Sequence, residues 1–375
     1  MVPSVDPAVE DPAYLTQQLI TCLGNKRNLL PLLGQGLELV CRDLGRTHLK
    51  LFDVFSGSGI VSRFFKHYAS WLLANDLEHY SFIINSCYLS NASQVPSLER
   101  ARTEVLEVAT RGAAGFISEL YAPQDDQNIQ PGERVFYTTR NARFLDAARQ
   151  AISAQPAELQ PYLLAPLLAE ASIHANTSGV FKGFHRDAKS GVGAFGGQGR
   201  HALSRILGEI TLPLPVLSRY EVPFEVLESD ANTAAKLAPP VDVAYLDPPY
   251  NQHPYGSNYF MLNLLARYER PQEISPVSGI PRHWNRSAYN RPQEIRLALA
   301  DLIENLKAKF ILVSFNSEGF LSRENLEDLM RPFGNLTVLE QPYPAFRGSR
   351  NLAQRKLQVQ EYLFVLHKSR AGAPV

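Results

Sequence analysis

Asp247-Pro248-Pro249-Tyr250 is the segment of this sequence whose residue types are hardest to explain by folding alone. It follows Val241 to Leu246, an apolar run that reads as a buried strand. Two consecutive prolines hold φ at two positions and remove two N–H donors, so the backbone is stiff and its carbonyls remain as acceptors. Ligands of open α/β folds bind at the C-terminal ends of such strands. There Asp247 and the Pro248 carbonyl make a rigid acceptor pair for the hydrogens of an amino group. An amino nitrogen on an aromatic ring is a poor nucleophile, because its lone pair is delocalised into the ring. Acceptors that pull it toward tetrahedral geometry free that lone pair. Tyr250 offers a flat face for a base drawn out of a duplex. The competing account is a strand-ending proline turn with an incidental acid and ring.

A second constellation lies near the start, in Asp53-Val54-Phe55-Ser56-Gly57-Ser58-Gly59. Glycines 57 and 59 let the backbone approach a ligand, and the helix that follows presents free N–H groups and its positive dipole end. Asp76 closes the next strand, where an acid can accept hydrogen bonds from ribose hydroxyls. A dinucleotide-binding turn asks for a third glycine, and position 62 is Ser. A tight turn with no ligand is the remaining alternative. No His, Cys and carboxylate set stands at metal-ligand spacing, so no metal is expected.

The elements that must position these groups can be read from periodicity. A helical run is expected from Tyr14 to Leu44, apolar through Leu29, Leu32, Leu33, Leu37 and Val40. A strand (Lys50 to Val54), a helix (Ile60 to Tyr68) and a strand (Ser70 to Ala74) then make a β-α-β unit. Four helical segments follow, Glu78 to Leu89, Leu98 to Tyr121, Asn141 to Ser153 and Ala157 to His174. Strands return at Phe224 to Glu228, Val241 to Leu246 and Phe310 to Phe315, with a helix near Arg291 to Ala308. Leu336 to Gln341 and Glu361 to His367 have no helix between them and are expected to be antiparallel. The fold class is therefore α/β, a Rossmann-like, mostly parallel sheet with an antiparallel closing strand. One split catalytic domain (residues 13–90 and 221–370) is expected around a largely helical insert (residues 91–220).

Composition is that of a globular protein, 45% hydrophobic and 20% charged over 375 residues. The acidic, proline-rich stretch from Met1 to Pro12 lacks the features of a signal peptide. No run of about 18 apolar residues suggests a membrane span. Cys22, Cys41 and Cys87 form no C-x-x-C pair, which points to a reducing, cytoplasmic setting. Lys and Arg balance Asp and Glu at 37 each. That zero net charge counts against a polyanionic partner unless the charge is locally segregated. Segregation is visible. Between Phe181 and Arg205, Lys182, Arg186, Lys189, Arg200 and Arg205 face a single acid, Asp187, with glycines at 191, 193, 196, 197 and 199. Arg282 to Arg291 contains Arg286 and no acid, with Trp284 and Tyr289 interleaved. Both runs suit phosphate contact and stacking, and both are also what a solvated face looks like.

With these motifs in order, the chain resembles the DNA N6-adenine methyltransferases of the Dam type, which have the alpha motif arrangement. Gly24-Asn25-Lys26-Arg27-Asn28-Leu29-Leu30 is similar to their N-terminal cofactor motif, Asp53 to Gly59 to the glycine-rich motif and Asp247 to Tyr250 to the catalytic one. The resemblance covers both α/β stretches and is weak across the insert. It implies S-adenosylmethionine as cofactor, with Lys26 and Asp53 at its methionine end, Asp76 at its ribose and Ser229-Asp230 at its adenine. Phe55, Gly57, Gly59 and Asp247 complete the expected cofactor set. It also implies a target-recognition role for the insert, double-stranded DNA as partner, a bacterial or phage setting, and a cognate restriction endonuclease as a possible companion. One departure stands out. Relatives often carry an aromatic residue where this chain has Cys22, so either Tyr14 takes that place or no residue does. Cytosine N4 in DNA and adenine in ribosomal RNA are alternative targets for the same chemistry. A non-catalytic binding protein would have lost one of the two motifs, and neither is eroded.

Overall fold

Successive residues of the central strands point to opposite faces, and here both faces are apolar, so the strands read as continuous hydrophobic runs. Leu51, Val243, Leu312 and Leu363 pack under helices Leu30–Leu44 and Ile60–Phe65. Their neighbours Phe52, Ala244, Ile311 and Phe364 pack under helices Ala231–Leu237, Ile295–Asn305 and Arg323–Met330. The computed structural model from which this is read describes residues 10–21, 24, 26–197, 202–249, 252–344 and 358–369. Cys22, Arg200 and Tyr250 lie outside the described residues.

The strands are β1 (Leu49–Asp53), β2 (Ala69–Asp76), β3 (Phe224–Glu228), β4 (Val241–Leu246), β5 (Ala308–Asn316), β6 (Gly334–Pro344) and β7 (Gln358–Lys368). They form one sheet in the order β3-β2-β1-β4-β5-β7-β6. β1 to β5 are parallel, and β7 runs antiparallel to both β5 and β6. The expected Rossmann-like sheet is therefore present. The strand order reverses between the parallel neighbours β1 and β4, which opens a crevice at their C-terminal ends, where Asp53 and Asp247 lie. Periodicity did not reveal that β7 slots between β5 and β6, which brings Glu361 opposite Asn316.

Two expected helices are broken, each for a local reason. The run from Tyr14 to Leu44 is a short helix capped by Asp11 (Pro12–Thr16), an extended stretch, a turn at Gly24 (φ 73°), a 3-10 turn (Lys26–Leu29) and the helix Leu30–Leu44. Gly45, at φ 61°, ends that helix with its N–H on the Arg42 carbonyl. The run from Leu98 to Tyr121 divides into Glu99–Ala109 and Phe116–Tyr121. Gly112 is left-handed, and a Cβ on Gly115 would come within 2.5 Å of the Asp146 carboxylate. Asp146 in turn accepts the N–H groups of Ile117 and Ser118, which starts the second helix.

The insert helices Glu99–Ala109, Phe116–Tyr121, Thr139–Ser153 and Gln160–Ile173 share one apolar core with helices His79–Tyr88 and Phe260–Arg267. The helices between residues 91 and 220 thus pack against the helix that follows β2 and a helix that follows β4. Among the described residues no helix is long and apolar enough to cross a membrane, and no three His, Cys, Asp or Glu side chains gather as metal ligands.

Candidate active site

The glycine-rich turn is built by hydrogen bonds from its neighbours. Ser81 Oγ donates to the Gly57 carbonyl at 2.6 Å, and Asn85 Nδ2 donates to Ser56 Oγ at 3.0 Å. Gly59 is required twice over: its φ is 76°, and a Cβ there would stand 2.7 Å from Asn85 Oδ1. Gly57, at φ 51°, has no atom within 4 Å of where its Cβ would be, so its backbone is bare to the cleft. Asn75 Nδ2 ties the Val54 and Ser229 carbonyls together, each at 3.1 Å, which joins the ends of β1 and β3. Ser81 and Asn85 carry no motif that the sequence alone would single out.

Asp76 lines the cleft with both oxygens anchored. The Gly57 N–H donates to Oδ2 at 2.8 Å, and the Glu78 N–H donates to Oδ1 at 2.9 Å. The Leu77 N–H and the Ser81 hydroxyl also bear on this carboxylate. Burial raises the Asp76 carboxyl above its ordinary range, opposed by those backbone bonds. Glu78 joins it on the same wall, its Oε2 accepting from the Asn263 and Asn285 side chains. Burial and the adjacent Asp76 push Glu78 up to about 7.

Asp53 departs from expectation. It is fully buried behind the turn rather than on the cleft wall, with Oδ2 accepting from Ser62 Oγ at 2.6 Å. Its Oδ1 has no hydrogen-bond partner among the described residues, and burial raises its carboxyl to about 7. Tyr14 departs as well. It is buried against Arg63, with its hydroxyl on the Tyr88 carbonyl at 2.6 Å, so it does not cover the cleft.

Across the cleft stands the diproline corner. Asp247 and Pro249 line it, and Pro248 is buried behind them. Lys26, 4% exposed at the head of the 3-10 turn, places Nζ 3.2 Å from Asp247 Oδ1 and 3.7 Å from Glu361 Oε2. Burial raises the Asp247 carboxyl to about 6; Lys26 opposes that rise and Glu361 adds to it. Phe55 and Tyr289 form an aromatic wall, edge to face at 5.0 Å. Ser229 and Asp230 line the third side, Asp230 also capping helix Ala231–Leu237 through Oδ1.

The basic segments divide. Lys182, Arg186 and Lys189 are exposed, Arg186 lying over the Phe184 ring while bonding the Gly191 and Val277 carbonyls. Arg205 is not a surface cation, because its guanidinium holds the carbonyls of Ile173, Ala175 and Thr177. It braces the insert. Arg282 pairs with Glu273 at 3.2 Å, an acid distant enough in sequence to escape a local charge count. Arg286 is exposed and lies over Trp284 at 4.2 Å, whereas Tyr289 is buried in the cleft wall and cannot stack on DNA.

A parallel sheet with one reversed strand, a bare glycine turn and acids at the strand ends define a Rossmann-like, nucleotide-binding methyltransferase. Comparison with known proteins supports that class and sharpens it. The family model for D12 class N6 adenine-specific DNA methyltransferases matches residues 23–328, and the chain belongs to that family. It is 28% identical to the Type II methyltransferase M.CviAII of Paramecium bursaria Chlorella virus 1, over 88% of this chain and 94% of the other. It is 27% identical to the Type II methyltransferase M.NlaIII of Neisseria lactamica, over 84% of this chain and 90% of the other. With the Type II methyltransferase M.FokI of Planomicrobium okeanokoites it shares 26% identity, over 92% of this chain and 52% of that protein. The reaction is site-specific N6 methylation of adenine in DNA, and the family implies S-adenosylmethionine as methyl donor.

Proposed function

We propose that the cleft between the glycine-rich turn and the diproline corner binds S-adenosylmethionine and one adenine drawn out of duplex DNA. The observation that carries this reading is the convergence on one cleft of the bare Gly57 backbone, the anchored Asp76 and the Asp247 carboxylate. Asp76 would take the ribose hydroxyls, the Phe55–Tyr289 wall and Ser229-Asp230 the cofactor's adenine, and Lys26 its carboxylate. Asp53 holds the start of the following helix from behind the turn through Ser62. When bound, the cofactor supplies a methyl group on a positively charged sulfur and leaves as a neutral thioether. Asp247 and the Pro248 carbonyl accept the two N6 hydrogens, orient the nitrogen lone pair toward that methyl, and keep the base in line. As the N–C bond forms, N6 becomes cationic, and Asp247 is the acceptor for the proton it must lose. Tyr250, outside the described residues, is proposed as the stacking face. Lys182, Arg186, Lys189, Arg286 and the exposed, Glu273-paired Arg282 are proposed phosphate contacts, with Arg200 assigned from the sequence alone; Arg205, whose guanidinium holds three carbonyls, leaves that set.

Residues 91–220 are proposed as the target-recognition region. The resemblance to Type II methyltransferases supports a restriction-modification role beside a cognate endonuclease. The test is expression in a host lacking adenine methylation, followed by sequencing that detects modified bases. N6-methyladenine within one short motif is expected, and its absence, or N4-methylcytosine instead, overturns the assignment.

A further inference from the structure

Glu361 belongs to no motif singled out in the sequence, yet it stands next to the two side chains that matter most. It lies on β7, on the same face as Leu363 and Val365, under helix Leu30–Leu44. An apolar residue would extend that core without cost. Instead a carboxylate is 4% exposed, and a buried charge is destabilising unless well paired. The pairing is incomplete. Oε1 is 3.5 Å from Asn316 Nδ2, and Oε2 has no hydrogen-bond partner among the described residues, although Lys26 Nζ is 3.7 Å away. Lys26 is closer to Asp247, at 3.2 Å. One ammonium therefore serves two carboxylates, and only one of them faces the cleft.

We propose that Glu361 is a positioning residue for methyl transfer: by sharing the Lys26 ammonium it keeps Asp247 oriented toward the cleft and makes it a stronger hydrogen-bond acceptor. The inference rests on Asp247 being the group that holds the target amino nitrogen. If Lys26 served Asp247 alone, it would hold that carboxylate fully ionised and compete with the amino group for its lone pairs. A second negative charge beyond the lysine pulls the other way. Among the described residues, the charged and titratable groups around Asp247 are Lys26 from the turn before the helix, Glu361 from β7, Asp53 from β1 and Tyr245 from β4. Among these only Glu361 can tune the lysine without touching the glycine turn or the catalytic strand. β7's position between β5 and β6 thus brings the last strand of the sheet into the active site.

The experiment compares the wild-type chain with Glu361→Gln, Glu361→Asp and Asp247→Asn. Single-turnover transfer of a labelled methyl group to unmethylated DNA is followed across pH 5 to 8.5, roughly the window spanned by a raised carboxyl and neutral solution. In the wild type the rate falls as pH drops through about 6, because the protonated Asp247 loses acceptor capacity. In Glu361→Gln that limb moves to lower pH by about half a unit to one unit, and the plateau rate falls several-fold, roughly the scale of one lost charge interaction. The thermal midpoint does not fall, because the charge removed is a buried and incompletely paired one. Glu361→Asp, which keeps the charge, lies between the two and still reads the effect if the glutamine variant fails to fold. A folded Glu361→Gln with the wild-type limb and plateau overturns the proposal, as does a uniform rate loss with no movement of the limb. Wild-type activity in Asp247→Asn overturns the underlying reading instead, whatever Glu361 does.

Discussion

The cofactor end of the cleft and the basic face of the insert are both assembled from polar residues, but by opposite means. At the glycine-turn end the polar groups are tied into a fixed network, largely through backbone. Asp76 takes two N–H groups, Asn75 two carbonyls, and Ser81 and Asn85 grip the glycine turn from beneath. On the insert, Lys182, Arg186 and Lys189 reach into solvent, their positions set by little beyond a ring contact and two carbonyls. A preorganised site resists substitution and shows it as lost chemistry or stability. An exposed cationic face tolerates substitution and shows it as lost long-range attraction, screened by salt. Arg205 carries the warning in this comparison. It sits in the basic segment by sequence, yet it is wired like the cofactor end, with its donors on three carbonyls.

The contrast can be broken most severely at the corner. Asp247→Asn keeps the shape and removes the charge, and methyl transfer is expected to fall on the order of 10²–10³-fold, as when one preorganised electrostatic group is lost. Binding of S-adenosylmethionine, followed by calorimetry, should survive. Next comes Gly59→Ala, which combines a left-handed φ with a clash at Asn85. A stability loss of roughly 1–3 kcal/mol is expected by thermal melting, with weaker cofactor binding; a wild-type melting curve would mean the turn relaxes freely. Asp76→Ala leaves two backbone N–H groups without acceptors and removes the proposed ribose contact, so cofactor affinity should drop about tenfold. The smallest effect is at the insert. Replacing Lys182, Arg186 and Lys189 with Ala should lower the slope of log K against log salt by up to about 0.9 for each phosphate that is no longer neutralised. Arg205→Ala should instead lower the melting temperature and leave that slope unchanged. If Arg205→Ala flattens the slope, the division drawn between the two regions fails.

Both motifs were legible because each is contiguous in sequence. Diproline stiffness and glycine freedom are local backbone properties, so Asp247 to Pro249 and Gly57 to Gly59 announce themselves without tertiary knowledge. Strands β4 and β5 were legible for a related reason: burial on both faces leaves long apolar runs, whereas β3, a half-exposed edge strand, showed only a short run of apolar residues among acids. The broken helices were not, because their apolar spacing is helical on both sides of the break. In one case Gly24 and in the other the reach of Asp146 interrupts it.

What sequence alone determined was the chemistry that short segments can carry: the rigid acceptor corner, the ligand-ready turn, the α/β alternation and the motif order. Tertiary structure decided which side chains share a space. It buried Asp53 behind the turn and Tyr14 in the core, moved Tyr289 from an expected DNA surface into the cleft wall, gave Arg282 an acid partner, and brought Glu361 to Lys26. The reason is physical. Backbone preferences act over a few residues and are written locally, whereas burial and charge pairing depend on elements far apart in the chain, and only the folded sheet sets those distances.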